Sequence, residues 1–479
     1  MKKIFLIIFA FVLVLLFYTI AFTESGLKNI SQSENPNLPD FTAISEEAAN
    51  DLQKYIKIKT IRGNEIESAN FLKAILEKNG IAVKLVSYLG KPDRVNLIAE
   101  LPGIEEGGGV IFMNHMDVVE AEAAEWKYPP FEGIRIEDRI YGRGAVDMKG
   151  LGMMQLHAML LIKKSGIKLK HKLMFIALAD EESRSMHGAQ YMVNNHKDLF
   201  KGYEFIHNEG GSGTDGVAVK GSKIFNLQYA EKGILWLELE AKGESGHGST
   251  PPVSYAAKNM MEFLLELQTF SEDTIITDIT SAFFYQMGVA SNFPNSFVLK
   301  RSRNPLIQLV LKGVIQSNKH LRAMTSNTIS VTGIDSDPIG INVITNHTKA
   351  TVDIRLLPGV VPDEYLAKIK SIADKYKIEI KVKHSEAATV SPMDSKFFQT
   401  LAGTAVKVVP EAVITPFLSP GTTDSSYFRM HGFKCYGLIP ALLTDYELDG
   451  IHGKDESIRV GHLKTGIQIL YETILNYNK

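Results

Sequence analysis

The chain has 479 residues, and its 52 Lys and Arg residues nearly balance its 54 Asp and Glu residues, giving a formal net charge of −2. This balance argues against a nucleic-acid partner, which would call for a basic stripe, and the length allows two or more domains. Cys435 is the only cysteine, so no internal disulfide can form and any metal must be held by His and carboxylate side chains.

The N-terminus predicts export. Lys2 and Lys3 precede an apolar segment, Ile4–Phe22, which exceeds the ~7–15-residue core of a signal peptide and approaches the ~20 residues of a membrane span. Residues 1–23 therefore predict either an uncleaved signal anchor or a cleaved signal peptide. The catalytic body is then exported and anchored to the membrane, or secreted or periplasmic after cleavage. Residues 24–40, rich in Ser, Asn and Pro, predict a linker.

Helical patterns come next along the chain, followed by short apolar runs that predict strands. Two runs, Val110–Asn114 and Leu173–Ala179, are typical of strands buried on both faces of a sheet covered by helices. A third strand-like segment is Tyr203–His207. Ligands of open α/β sheets bind at the carboxyl ends of such strands.

Potential metal ligands follow each of these three runs. His115 follows the first, Glu181 and Glu182 belong to three consecutive acids after the second, and Glu209 follows the third. Adjacent carboxylates repel each other unless a cation neutralises them, so the repeated pattern predicts a metal site and disfavours a solvent-exposed acidic loop.

Two aspartates extend this pattern. Asp147 lies in the glycine-rich stretch YGRGAVDMKG before a predicted helix, where it would serve as an N-cap or, because glycines allow close approach of the backbone, contact a ligand. Asp117 lies two residues after His115 and would point to the same side, which suits a carboxylate that orients the imidazole ring.

From about Ala230 the pattern changes to alternating strands in a β-α-β-β-α-β order, which suggests an inserted ferredoxin-like module. The stretch Ser271–Met324 exceeds what this module needs and predicts additional helices. The expected catalytic domain is therefore split into two segments, at 41–229 and 384–479, with a lid or dimerisation domain inserted between them at 230–383.

Seven motifs occur in the order NHMDVV, GRGAVDMKG, ADEE, NEGG, GHGSTPP, VDIRLLPG and IHGKDE. Together they resemble the M20 family of metallopeptidases, which includes aminoacylases, glutamate carboxypeptidases and Gly-X carboxypeptidases. The resemblance runs from about Leu52 to the C-terminus. It implies an α/β fold, a zinc-peptidase-like mixed sheet covered by helices, with an inserted ferredoxin-like α+β lid that often dimerises. A homodimer through the lid is therefore one expectation.

The resemblance also implies two Zn²⁺ per subunit, with Co²⁺ or Mn²⁺ as alternatives. His115 and Glu209 would bind one ion, Glu182 and His452 the other, and Asp147 both. Two His and three carboxylates suit such ions. Glu181 would be the general base, taking a proton from the attacking water and returning it to the leaving nitrogen. In the alternative, Glu181 and Glu182 both ligate metal.

Four residues are implied in substrate binding. His247 would stabilise the oxyanion, often across a dimer, and Arg355 would hold a substrate carboxylate, with Asn342 and Gly421 as weaker candidates. The segment GTTDSSYF departs from the family pattern because Ser426 stands where relatives often carry Arg, which leaves substrate preference open.

The expected function is therefore a di-zinc amidohydrolase or carboxypeptidase. It would cleave the amide bond next to a C-terminal amino acid with a free carboxylate, in small peptides or N-acyl amino acids. Two alternatives stay open: a catalytically silent binding protein of the same fold, and an aminopeptidase with the same metal site.

Overall fold

The computed structural model describes residues 9, 10, 14, 38–270, 274–336 and 340–479. The predicted signal anchor or signal peptide at 1–23 lies almost entirely outside the described residues, as does most of the linker at 24–40. Within the described ranges, no helix is both long and apolar enough to cross a membrane.

The elements before residue 232 begin with two helices and form most of the large sheet. They are α1 (Phe41–Ile56), α2 (Glu65–Lys78), β1 (Val83–Tyr88), β2 (Lys91–Leu101), β3 (Gly109–His115), β4 (Ile134–Ile136), β5 (Arg139–Tyr141), α3 (Lys149–Ser165), β6 (Leu173–Leu178), α4 (Ala189–Asn195), β7 (Tyr203–Asp215) and β8 (Lys223–Glu231). Short 3-10 turns occur at Ala123–Glu125, Glu181–Ser183 and Lys197–Phe200.

The remaining elements belong to a second sheet, a set of helices and the C-terminal return to the first sheet. They are β9 (Gly233–Lys242), β10 (Gly246–His247), α5 (Ala256–Thr269), α6 (Asp278–Ala290), α7 (Asn295–Leu299), α8 (Pro305–Ser317), α9 (Lys319–Thr325), β11 (Thr328–Asp335), β12 (Val343–Ile344), β13 (His347–Leu356), α10 (Pro362–Lys375), β14 (Ile378–Glu386), β15 (Thr389–Val390), α11 (Lys396–Val408), β16 (Ala412–Ser419), α12 (Ser425–Met430), β17 (Lys434–Leu443), α13 (Asp445–Gly450), β18 (Ser457–Arg459) and α14 (Val460–Tyr477).

The large sheet has nine strands in the order β1-β2-β6-β3-β7-β17-β8-β15, with β16 paired to β8. The central strand β3 runs parallel to both β6 and β7, whereas β2 is antiparallel to β6. Every residue of β3 and β6 is buried, because alternate side chains pack under helices on opposite faces. Helices α1, α3 and α14 contact one another on one face. This confirms the expected mixed α/β sheet.

The second sheet is antiparallel, in the order β11-β13-β9-β14. Leu235, Leu237 and Leu239 of β9 face the helices α5 and α10 in a separate apolar core, and the intervening Trp236 is half-buried. The alternation read from the sequence follows from this arrangement, since one face of the sheet is covered and the other is open. The ferredoxin-like element order is confirmed.

The stretch between α5 and β11 is helical, as expected, and comprises α6 to α9. It falls inside the range predicted for the inserted domain, yet it packs on the catalytic sheet. Phe283 and Phe284 of α6 form an apolar cluster with Ile224 of β8, and Phe417 of β16 packs against it. These helices cover the β16 side of the large sheet.

Candidate metal centre and active-site cleft

His115 is the last residue of β3, and its ring is buried behind the cleft, with 1% exposed. Its Nδ1 donates a hydrogen bond to the backbone oxygen of Asp117 at 2.9 Å. This bond fixes the ring so that Nε2 points to Asp147 Oδ1 at 3.2 Å and Glu209 Oε1 at 3.6 Å. Glu209 lies within β7, which continues past the predicted end at His207 to Asp215.

Asp147 lies in the turn before α3, and a buried carboxylate holds this turn. Glu456 accepts hydrogen bonds from the backbone N–H groups of Val146 at 2.7 Å and Asp147 at 3.0 Å. Arg143 pairs with Glu456 at 2.7 Å and also donates to the backbone oxygen of Gly453 at 2.6 Å. The Arg143–Glu456 pair therefore joins the turn that carries Asp147 to the segment that carries His452.

The turn Glu181–Ser183 presents two carboxylates directly after β6. Asp117 accepts the backbone N–H of Glu181 at 3.1 Å and that of Glu182 at 3.0 Å. Its carboxylate is also 3.6 Å from Nδ1 of His115. Asp117 thus orients the acidic turn as well as lying beside the imidazole. Asp180 lies two residues after the end of β6 and accepts a hydrogen bond from His187 Nδ1 at 2.6 Å.

Two sets of three ligands meet at Asp147. In each set one donor atom per residue lies within 4.8 Å of the others: His115, Asp147 and Glu209 in one, Asp147, Glu182 and His452 in the other. Asp147 Oδ1 faces His115, while Oδ2 is 3.0 Å from His452 Nε2. A third set, His115 with Glu181 and Glu182, meets the same criterion, so the alternative in which both glutamates ligate stays open.

The cluster is acidic and largely buried, whereas the His452 side chain is 52% exposed. Burial and the nearby carboxylate of Asp147 raise the pKa of Glu209 to about 8. Burial, together with Glu209, raises the pKa of Glu181 well above its ordinary value. Hydrogen bonds to Asp147 and Glu182 raise the pKa of His452 to about 10. Burial is the main cause of the two glutamate shifts, and the neighbouring carboxylates add to it.

This donor set fits divalent metal ions. Imidazole nitrogens and carboxylate oxygens suit Zn²⁺ and similar ions, and Asp147 offers one oxygen to each set. Positive charge at this position would stabilise the ionised forms of the buried glutamates, because opposite charges nearby lower a carboxyl pKa. The five predicted ligands are therefore brought together at one candidate metal centre.

The centre opens into a cavity of about 570 Å³ between the two sheets. Catalytic-domain lining residues include Asp147, Glu181, Glu182, Arg184, Glu209, Gly421, Tyr427 and His452. The lid contributes Ile234, Trp236, Arg355 and His384. Gly421 and Arg355, both predicted to bind substrate, thus share the cavity with the metal ligands.

Two predicted substrate-binding residues lie elsewhere. His247 pairs with Val343 in a two-stranded ribbon, and the Gly248 N–H donates to the backbone oxygen of Asn342 at 2.7 Å. His247 is exposed, and neither His247 nor Asn342 lines the cavity. Their role in substrate binding stays a prediction.

Sequence reasoning missed several residues that shape the cleft. Glu456 lies four residues after His452 and holds the Asp147 turn, and no local pattern in the sequence marks this role. Glu231 at the connection to the lid accepts hydrogen bonds from the Thr423 N–H and hydroxyl and pairs with Arg429 at 2.7 Å. Arg184 lies over the Trp236 ring, 4.9 Å from its centroid, across the cleft.

The model of peptidase family M20/M25/M40 matches residues 111–476. The chain therefore belongs to this family and is a metallopeptidase or amidohydrolase, as the motifs indicated. It is 30% identical over 381 residues to the human N-fatty-acyl-amino acid synthase/hydrolase PM20D1, covering 76% of this chain and 73% of that protein. Identity to the probable carboxypeptidase S-like 2 of Dictyostelium discoideum is 25%, covering 98% of this chain and 92% of that protein.

A solved structure shares the fold. The M20 family metallo-carboxypeptidase Sso-CP2 from Sulfolobus solfataricus superposes with a TM-score of 0.67 at 22% identity, covering 90% of this chain and 99% of that chain.

Proposed function

We propose that this protein is a di-zinc amidohydrolase that releases a C-terminal amino acid from N-acyl amino acids or small peptides. One observation carries the proposal: two sets of metal ligands share Asp147 at the floor of a cavity that also contains Arg355. The ligand sets suit hydrolysis of an amide, and the guanidinium suits the free carboxylate of the residue that is released.

Each residue has a defined task. When bound, two divalent ions would supply Lewis-acid activation of the attacking water and the scissile carbonyl. Glu181 takes a proton from that water and passes it to the leaving nitrogen. Arg355 holds the substrate carboxylate, and Asp117 keeps the Glu181 turn in place.

The relatives support both substrate classes. One is an N-fatty-acyl-amino acid synthase/hydrolase and another a probable carboxypeptidase. A panel of N-acyl amino acids and dipeptides, assayed for amino acid release before and after chelation and zinc return, tests the proposal. Zinc-restored release is expected. No release from any member, with two zinc ions bound per chain, would contradict the proposal and favour the silent binding protein.

The base is tested separately by Glu181→Ala. Turnover should be lost while the zinc content per chain stays at the wild-type value, because Glu182 remains in the second ligand set. Activity that survives would contradict the assignment, and loss of one zinc ion would favour the alternative in which Glu181 ligates.

An N-terminally blocked peptide distinguishes an aminopeptidase, which would not cleave it.

We further propose that the catalytic body is exported, anchored or released according to the fate of residues 1–23, and that it forms a homodimer through the lid. The apolar segment after Lys2 and Lys3 supports export. His247 is exposed and lies outside the cavity of its own chain, which supports a homodimer in which His247 reaches the active-site cleft of the other subunit.

A further inference from the structure

The helices inserted between α5 and β11 carry an unusual charge. From Ile279 to Ile334 the sequence contains no Asp or Glu, although the whole chain has a net charge of −2. The basic residues in this interval are Lys300, Arg301, Arg303, Lys312, Lys319 and Arg322. All are exposed or half-buried, and Arg303 pairs with Asp278 at 2.9 Å. The interval is therefore a strongly cationic region on a slightly anionic protein.

Helix α8 in this region is apolar on two opposite faces. Leu311 and Ile315 are buried against α6 and Ile224 of β8, which explains the inner face. The outer face carries Leu306, Leu309, Val310 and Val314, with 41%, 74%, 63% and 56% of their surface exposed. Their spacing places them on one side of the helix. Such an apolar face, flanked by charged residues, marks an interaction surface.

A cavity of about 620 Å³ lies beside the end of α8. Gln316, Lys319 and Arg322 line it, together with polar residues at the start of β11. Two cations and several hydrogen-bond donors suit an anionic phosphate headgroup. We call the four apolar residues of α8, with Lys319 and Arg322, the insert patch.

We propose that the insert patch docks the protein on an anionic membrane surface. Its apolar side chains would enter the headgroup region, and its cations would interact with negatively charged lipids, the combination typical of interfacial helices. A second copy of the same patch would bring like charges together, which disfavours self-association. The predicted membrane segment supports the same partner, because residues 24–40 cannot span more than about 60 Å.

The test uses the full-length protein with a bimane label at Val310→Cys. Leu265→Cys on α5 is the matched site, since Leu265 is 66% exposed and Val310 63%. Cys435 is buried, and the unsubstituted chain, treated in parallel, reports any labelling there. Vesicles contain brominated phosphatidylcholine alone, or the same lipid with an equal amount of phosphatidylglycerol. With phosphatidylglycerol present, we expect the brominated lipid to quench the bimane fluorescence several-fold more strongly at position 310 than at position 265. Without phosphatidylglycerol, we expect no such difference.

Charge is tested with Lys319→Gln/Arg322→Gln, which should lose the quenching at position 310. The matched pair Lys368→Gln/Lys370→Gln removes two exposed lysines from α10 and should keep it. Equal quenching at both labels, or quenching independent of phosphatidylglycerol, would overturn the proposal. Self-association is tested without lipid. If the protein forms a dimer that Val310→Glu/Val314→Glu dissociates and Met261→Glu/Leu265→Glu leaves intact, the membrane proposal is overturned and the patch is a dimer interface. Amide hydrolysis plays no role in these readouts, so the proposal stands or falls independently of the enzyme assignment.

Discussion

Arg355 is the residue whose role in the cleft is most directly measurable. It donates two hydrogen bonds to Asp353, at 2.8 and 3.1 Å, which fix the guanidinium on the lid wall. Its third nitrogen, Nη1, is buried and has no hydrogen-bond partner among the described residues. A buried donor without an acceptor is costly, so a substrate carboxylate is its natural partner.

We therefore expect Arg355→Gln to lower kcat/KM by roughly 10- to 100-fold, the value of a hydrogen bond to a charged group. The loss should appear mainly in KM and should vanish when the substrate carboxylate is replaced by a carboxamide. Arg184→Gln is the matched control, because it removes one charge from the other wall of the same cavity. A larger, carboxylate-dependent loss in Arg184→Gln would transfer the role to Arg184.

Glu231 connects the large sheet to the lid and supports the loop that carries Gly421. Its pairing with Arg429 is buried, with 0% and 2% of the two side chains exposed. Glu231→Gln leaves the guanidinium of Arg429 uncompensated, so we expect a loss of about 3–5 kcal/mol in the free energy of unfolding. Urea denaturation followed by circular dichroism measures it.

The matched control is the surface pair Lys242–Glu379, which has the same 2.7 Å separation but 58% and 65% exposure. Glu379→Gln should leave the denaturation midpoint unchanged, because solvent screens exposed pairs. Equal effects in the two variants would show that burial does not decide the strength of the Glu231–Arg429 pair.

Local sequence accounts for some of these residues and not for others. His115, Glu182 and Glu209 could be found because each comes shortly after an apolar run in the sequence, and neighbouring strands bring such residues close together. Glu456 and Glu231 have no such signal. Glu456 contacts a turn more than 300 positions away, and Glu231 a loop near residue 423. Only the tertiary structure shows from which backbone N–H groups these two glutamates accept hydrogen bonds.

At the scale of elements, α6 decides whether the inserted helices belong to the catalytic body. Phe284 is 1% exposed and packs in the cluster that includes Ile224 of β8. If this packing belongs to the cooperative fold, Phe284→Ala should lower the free energy of unfolding by about 3–5 kcal/mol, including the cavity left behind. Val289→Ala, on the exposed side of the same helix at 46% exposure, should change it by no more than about 0.5 kcal/mol.

Urea denaturation of the two variants provides the comparison. A loss well below 1 kcal/mol for Phe284→Ala would mean that α6 opens independently of the sheet, as weakly packed segments do. The sequence predicts helices here because the stretch Ser271–Met324 is longer than the ferredoxin-like module needs. It did not predict their docking surface, because periodicity identifies an apolar face and says nothing about the element that covers it.

In the part of the chain that the structure describes, the apolar clusters belong to two bodies. Three clusters pack on the large sheet, and the fourth lies between the lid sheet and helices α5 and α10. The chain passes between the two bodies at Glu231–Gly233, between α5 and α6, between α9 and β11, and between β14 and β15. Val360 packs against the apolar clusters of both bodies. All five predicted metal ligands lie outside the segment from β9 to β14, so metal binding should stabilise only the body with the large sheet.

Calorimetry should then show two unfolding transitions, and zinc should raise the midpoint temperature of only one of them. A ligand that binds only the native state increases the free energy of unfolding by RT ln(1 + [L]/Kd). This is about 2.7 kcal/mol when the ligand concentration is a hundred times Kd. Asp147→Ala should abolish the zinc-induced shift, because Asp147 belongs to both ligand sets, whereas His247→Ala should retain it. A single transition that zinc moves as a whole would contradict independent bodies. The coupling would then lie in contacts across the cleft, such as Arg184 over Trp236.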